Sequence, residues 1–163
     1  MEKRQKITFS QLPQNVEELK TLKESNLENP FEVCALVVAV LCRYEKSVDD
    51  CINMLNFLKG PQPMSEYDKQ FLRDRLKGKY YKPFSYFQGT SPENNYTPKE
   101  FSIEVFDNPY SYQSEGYVTL WMKSSGADSP RQLKLRQKGN QWFLWENFLL
   151  SDIRIPKADD PWA

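Results

Sequence analysis

Leu133-Lys-Leu-Arg-Gln-Lys-Gly139-Asn140-Gln-Trp-Phe-Leu-Trp-Glu146 decides how this chain is to be read. Leu133 and Leu135 alternate with Lys134 and Arg136 before the Gly-Asn pair; Phe143 and Trp145 alternate with Trp142, Leu144 and Glu146 after it. A period of two on both sides of two turn-forming residues is the signature of a β-hairpin. The same period runs upstream. Val118, Leu120 and Met122 alternate with Tyr117, Thr119 and Trp121, and Phe101, Ile103 and Val105 alternate with polar residues. Turns at Asn108-Pro109 and Ser125-Gly126 separate these runs. Residues 101–155 therefore predict a four-stranded antiparallel meander.

The first half of the chain obeys a different grammar. Asn15, Asn29, Ser47 and Ser65 each stand at the head of an apolar pattern of helical spacing and carry an acid three residues on. Such residues cap helix N-termini by accepting the first free backbone N–H groups. Pro30 strengthens the second start, and the apolar run Val33 to Cys42 behind it predicts a helix buried on all sides. Gly60-Pro61 and Gly78 are stop signals for the third and fourth helices. About four helices over residues 14–78 precede the strands, so the fold class is α+β, with helices packed on one face of the sheet. A bent meander under a helical roof also suggests a cone-like variant, as in nuclear-transport-factor-like proteins. The length of 163 residues predicts a single domain. Its parts are the helical half, a Pro- and Gly-containing aromatic loop over 79–100, the β half, and a polar tail over 156–163. Trp162, between Pro161 and Ala163, is expected to be packed on its own domain or on a second copy, because an indole in water forgoes burial.

Composition removes several functions. Twenty-two basic and 22 acidic residues leave no net charge, which withdraws the long-range pull toward nucleic acid or acidic membranes. There is no His, so the common catalytic triads and most catalytic zinc sites are excluded. Three Cys in apolar surroundings read as buried thiols, and the apolar run of ten residues is half of a membrane span. Neither a glycine-rich phosphate loop nor a nucleophile elbow is present. The sequence implies no catalytic residue, no metal and no cofactor, and a cytoplasmic location.

Aromatic clustering is the feature that points to function. Seven of the nine Tyr lie between positions 80 and 117, interleaved with Asn, Ser, Gln and Gly. Tyr joins a large apolar body to a polar tip and is enriched where proteins touch partners. Tyr81, Tyr86, Phe87, Tyr96, Tyr110 and Tyr112 are the candidate binding residues from this segment. Trp121 and Arg136 join them from the outward face of the sheet, where Tyr117, Lys134 and Lys138 also point. Aromatics beside cations can stack single-stranded nucleic acid, but zero net charge and the missing RNA-recognition signature argue against that. A compact loop also uses aromatics as its own small core, which is the competing reading.

Several stretches resemble an uncharacterised family, a domain of unknown function, of small proteins from gut-dwelling Gram-positive bacteria. They are Met54-Leu-Asn-Phe-Leu-Lys-Gly-Pro-Gln-Pro63, Asn108-Pro-Tyr-Ser-Tyr-Gln113, Gly126-Ala-Asp-Ser-Pro-Arg131, Gln141-Trp-Phe-Leu-Trp-Glu146 and Asp160-Pro-Trp-Ala163. The resemblance runs from about Gln11 onward and implies a bacterial cytosolic protein. It brings no activity and no site residue with it.

Two functional expectations follow. The first is a non-catalytic binding module that meets another protein, or a second copy of itself, through the Tyr-rich segment. The second is a cone-fold enzyme or carrier of a small molecule. Without His, its base would be a carboxylate in a pocket between sheet and helices, with Glu146 and Glu104 as candidates.

Overall fold

The computed structural model describes residues 2–163. Four α-helices and a five-stranded antiparallel sheet make an α+β fold. The helices are α1 (Val16–Thr21), α2 (Pro30–Leu41), α3 (Val48–Lys59) and α4 (Glu66–Leu76). All four begin where the caps predict. Asn15, Asn29, Ser47 and Ser65 accept hydrogen bonds from the backbone N–H of Glu18, Phe31, Asp50 and Asp68. At Ser65 the Asp68 carboxylate also reaches back to the Ser65 N–H, closing a capping box.

Helix α2 is buried from Val33 to Leu41 and is the centre of the core. It contacts α3 on one side and strands β1, β2, β3 and β5 on the other. The strands are β1 (Arg4–Phe9), β2 (Phe101–Phe106), β3 (Tyr117–Met122), β4 (Arg131–Lys138) and β5 (Gln141–Asn147), in that spatial order. Four of them are the predicted meander. The fifth, β1, is an N-terminal edge strand in register with β2, Ile7 opposite Ile103. Ile7 and Phe9 face the core while Arg4, Lys6 and Thr8 are exposed. That alternation is present in the sequence, but over too few residues to stand out before its partner is known.

The register of β3 on β4 is regular from Tyr117↔Arg136 to Met122↔Arg131. Val118, Leu120, Met122, Leu133, Leu135 and Leu144 bury one face. By contrast β2 meets β3 through two residue pairs alone, Val105↔Met122 and Phe106↔Trp121. The sheet therefore splays, and the segment 79–100 enters the opening. The Gln88 N–H donates to the Ser102 carbonyl at 2.9 Å, and the Ser85 carbonyl accepts from the Ser125 N–H at 2.8 Å. A segment stitched to strands on both sides needs apolar side chains turned inward, which accounts for its aromatic content.

The tail after Pro156 forms one short turn of helix, Lys157–Asp159, on the surface. Trp162 does not pack on its own chain; it is 92% exposed. The Asp160 carboxylate accepts from the Trp162 N–H at 2.8 Å and holds a tight turn that aims the indole outward.

Candidate functional site

A groove of about 780 Å³ opens between α4 and the β3–β5 half of the sheet. Helix α4 supplies one wall. Tyr67, Asp68, Phe71, Leu72 and Arg75 recur at the spacing that puts them on one side of a helix, and all five line the groove. Leu72, at the border of this strip, and Leu76 beyond it are buried against the core. The sheet supplies the other wall through Trp121 of β3, Gln132 of β4, and Leu144, Trp145 and Glu146 of β5, continued by Phe148. Five aromatic side chains converge on it.

The local shape of β5 explains why Trp145 and Glu146 both turn to the groove. Leu135 is opposite Leu144, but Lys134 is opposite Glu146, so Trp145 is an extra residue on β5. A β-bulge of this kind re-aims side chains without breaking the strand. A second cavity of about 620 Å³ adjoins the first and shares Lys59, Asp68, Leu144, Trp145 and Glu146 with it. There the Arg136 guanidinium lies 4.6 Å over the Trp145 ring and 5.5 Å over Tyr117, and Tyr117 meets Trp145 edge-on at 6.0 Å. Lys134 caps Tyr117 from 5.0 Å. These cation–π contacts hold the aromatic rings in fixed orientations at the mouth of the groove.

The sequence candidates fall into three places. Trp121, Arg136 and Glu146 belong to the two adjoining cavities. Tyr81, Tyr86, Phe87 and Tyr96 are not a free surface. Tyr86, Phe87 and Tyr96 are buried; Tyr81 is half-buried and stacks on Tyr96 with centroids 5.6 Å apart and planes 13° from parallel. Their hydroxyls donate inward, Tyr81 to the carbonyl of Ile153, Tyr86 to that of Leu149 and Tyr96 to that of Arg154. Burial pushes the Tyr86 phenol well above its ordinary range and the Tyr96 phenol up to about 12. Tyr110 and Tyr112 are in the third place, the loop joining β2 to β3, 65% and 60% exposed, with the Tyr112 hydroxyl donating to Asp107 at 2.7 Å. Glu104 is on β2, outside both cavities; it lines a separate, smaller one of about 320 Å³ with Phe106 and Lys123, and is ion-paired with Arg4 of β1.

A family model for a domain of unknown function, DUF6935, matches residues 11–157. The chain belongs to this family. No curated protein and no solved structure matches it. Among the described residues of this DUF6935 chain, no three His, Cys, Asp or Glu side chains gather as a metal site would require. No helix is long and apolar enough to cross a membrane.

Sequence reasoning missed the part of the groove contributed by α4, and it missed Lys82. This lysine is 3% exposed, and its ammonium donates to the Leu150 carbonyl at 2.8 Å. Among the described residues no carboxylate lies within ion-pair distance of it. Burial lowers its pKa, with Lys79 and Arg75 adding to the effect. Nothing in Tyr81-Lys82-Pro83 marks this lysine as interior.

Proposed function

We propose that this protein is a non-catalytic binding module whose ligand site is the groove between α4 and strands β3–β5. The observation that carries the reading is the convergence of Tyr67, Phe71, Trp121, Trp145 and Phe148 on one open trough. Large apolar side chains left partly in water are a standing source of binding free energy, roughly 1.5–3 kcal/mol for each that becomes fully buried. A cavity of this size falls in the range that takes a small organic ligand. The reading keeps the binding role expected from the sequence and moves its surface from the Tyr-rich segment to the groove.

The enzyme reading has one residue in its favour, Glu146, which lines both cavities. Its carboxylate is exposed to solvent and opposite Lys134 across the bulge. A carboxylate that serves as general base is ordinarily held in a buried pocket, and Glu146 is not buried. Three unpaired buried thiols fit a reducing compartment, so we also place the protein in the bacterial cytoplasm.

The test is a fluorescence titration with the neutral aromatic probe N-phenyl-1-naphthylamine. Phe71→Ala and Phe148→Ser should each weaken probe binding about tenfold or more, from the lost apolar contact. Tyr110→Ser should leave it unchanged. Binding that responds to Tyr110 and ignores Phe71 would refute the groove as the ligand site.

A further inference from the structure

The groove is polar along its length, and its two ends differ in sign. On α4, Asp68 and Arg75 are seven residues apart on the same side, about 10 Å at ~1.5 Å per residue. On the sheet, Glu146 is opposite Lys134, and Arg131 is three residues further along β4, again about 10 Å at ~3.3 Å per residue. The two walls therefore agree. One end holds Asp68 and Glu146, and the other holds Arg75 and Arg131.

The acidic end is already answered. Asp68 accepts from the Ser65 N–H in its capping box, Lys59 lines the same stretch, and Lys134 is opposite Glu146. The basic end is not. Among the described residues, Arg75, Arg131 and Lys82 make no ion pair. The Arg75 guanidinium lies over the Phe71 ring, 4.8 Å from its centroid, on the groove wall. The Arg131 Nη2 donates to the Asp152 carbonyl at 2.8 Å, while its Nε is buried with no partner. Lys82 sits behind Leu150, itself a lining residue, with one carbonyl as its partner. A buried cation or guanidinium N–H without a partner carries a desolvation cost that an arriving anion relieves. Of the charged groups that act on Lys82, one is a carboxylate, that of the exposed Asp152; the others, Lys79, Arg75 and Arg131, are cations.

We infer that the ligand is a small amphipathic organic anion, an aryl or alkyl carboxylate or sulfonate. Its charged head sits between Arg75 and Arg131, and its apolar body lies along Phe71, Trp121 and Phe148 toward Trp145. This rests on the groove being the binding site. Arg75 and Arg131 select the charge of the ligand, and the aromatic walls hold it irrespective of charge.

Paired fluorescent probes separate the two statements. The anionic probe 8-anilinonaphthalene-1-sulfonate and the neutral N-phenyl-1-naphthylamine share an aromatic body and differ in the charged head. The native protein should bind the anionic probe more tightly, with an affinity that falls as salt is raised. Arg75→Gln, at a half-buried position on the groove wall, should weaken the anionic probe roughly tenfold, the loss of a charge-assisted contact, and leave the neutral one within about twofold, since the aromatic contacts stay. Arg131→Met should do the same, and Arg75→Gln keeps the test alive should that change disturb β4. Equal binding of both probes, unaffected by Arg75→Gln, overturns the charged head and leaves the groove reading intact. Failure of both probes to bind overturns the groove reading with it. Preference for the cationic dye thioflavin T also overturns the inference. So does a concentration-dependent dimer lost in both Arg75→Gln and Trp162→Ala, which would assign the groove to the tail of a second copy.

Discussion

Replacing Tyr96 by Ser should cost the protein much of its stability, although Tyr96 lies in a segment whose composition suggests a contact surface. The ring is 1% exposed and stacked on Tyr81. Truncating a buried aromatic to a small residue typically costs about 3–5 kcal/mol, including the void it leaves. The hydroxyl donates to the Arg154 carbonyl, and losing that bond adds about 1 kcal/mol. For a chain of this length each kcal/mol moves the melting temperature by about 2–4 °C, so Tyr96→Ser should lower it by about 8–24 °C. Tyr96→Phe keeps the ring and the stack and should cost about 2–4 °C, the hydroxyl alone. Tyr110→Ser, at an exposed site, should stay within about 0.5 kcal/mol of the native protein. Thermal melts followed by circular dichroism, with urea titrations beside them, give all three values. A Tyr96→Ser protein that melts within 2–3 °C of the native one would refute the small-core reading and return this segment to the surface.

Gly60 closes α3 with φ of +67°, and a Cβ there would run into the Phe143 ring. Gly60→Ala should therefore destabilise by about 1–3 kcal/mol in a urea melt, and a neutral effect would mean that β5 moves freely against α3. Burial raises the thiols of Cys34, Cys42 and Cys51 above their ordinary 9.0, Cys51 to about 12, and the Tyr96 phenol from 10.0 to about 12. The folded chain thus keeps protons that the unfolded chain loses, so this contribution is full below pH 9 and is lost as pH rises from 9 toward about 12. Lys82, its pKa lowered by burial, works in the opposite direction below 10.5, as one group against several. A urea midpoint that is flat or rising from pH 8.5 to 10.5 would contradict this balance. Trp162→Ala should change neither the melting temperature nor the dilute-solution mass, since the indole is 92% exposed; a drop of several degrees would reveal docking on a second copy.

The fold is legible in this sequence where its signals are local. Each helix start is written within four residues, and Asn15, Asn29, Ser47 and Ser65 do what their types and spacing require. The four strands of the meander are legible for the same reason, because each has a neighbour in sequence that supplies the turn. Strand β1 is not legible: its partner β2 is nearly a hundred residues away, and the Lys6-Ile7-Thr8-Phe9 alternation has no hairpin beside it. The inward turn of Tyr86 and Tyr96 is hidden likewise. It follows from the splay between β2 and β3, which leaves an opening for residues 79–100 to fill, and a splay is a property of two strands together.

The groove joins both cases in one place. Its sheet wall is half visible, since alternation puts Trp121 and Arg136 outward and marks Glu146 as a carboxylate among aromatics. The bulge that turns Trp145 and Glu146 to the same side is a mismatch of one residue between β4 and β5, and neither strand alone contains it. The helix wall is ambiguous from sequence because α4 carries two overlapping apolar strips. Leu72 and Leu76 bury into the core, whereas Tyr67 and Phe71 look as apolar and face the trough. Arg75 separates them. A guanidinium four residues after Phe71 and one before Leu76 cannot sit in the core without a partner, so it marks where the buried strip ends and the groove begins. Charge placed along an apolar helix face, more than aromatic content, is thus the sequence signal that locates this site, and here it falls on α4 rather than on the Tyr-rich segment.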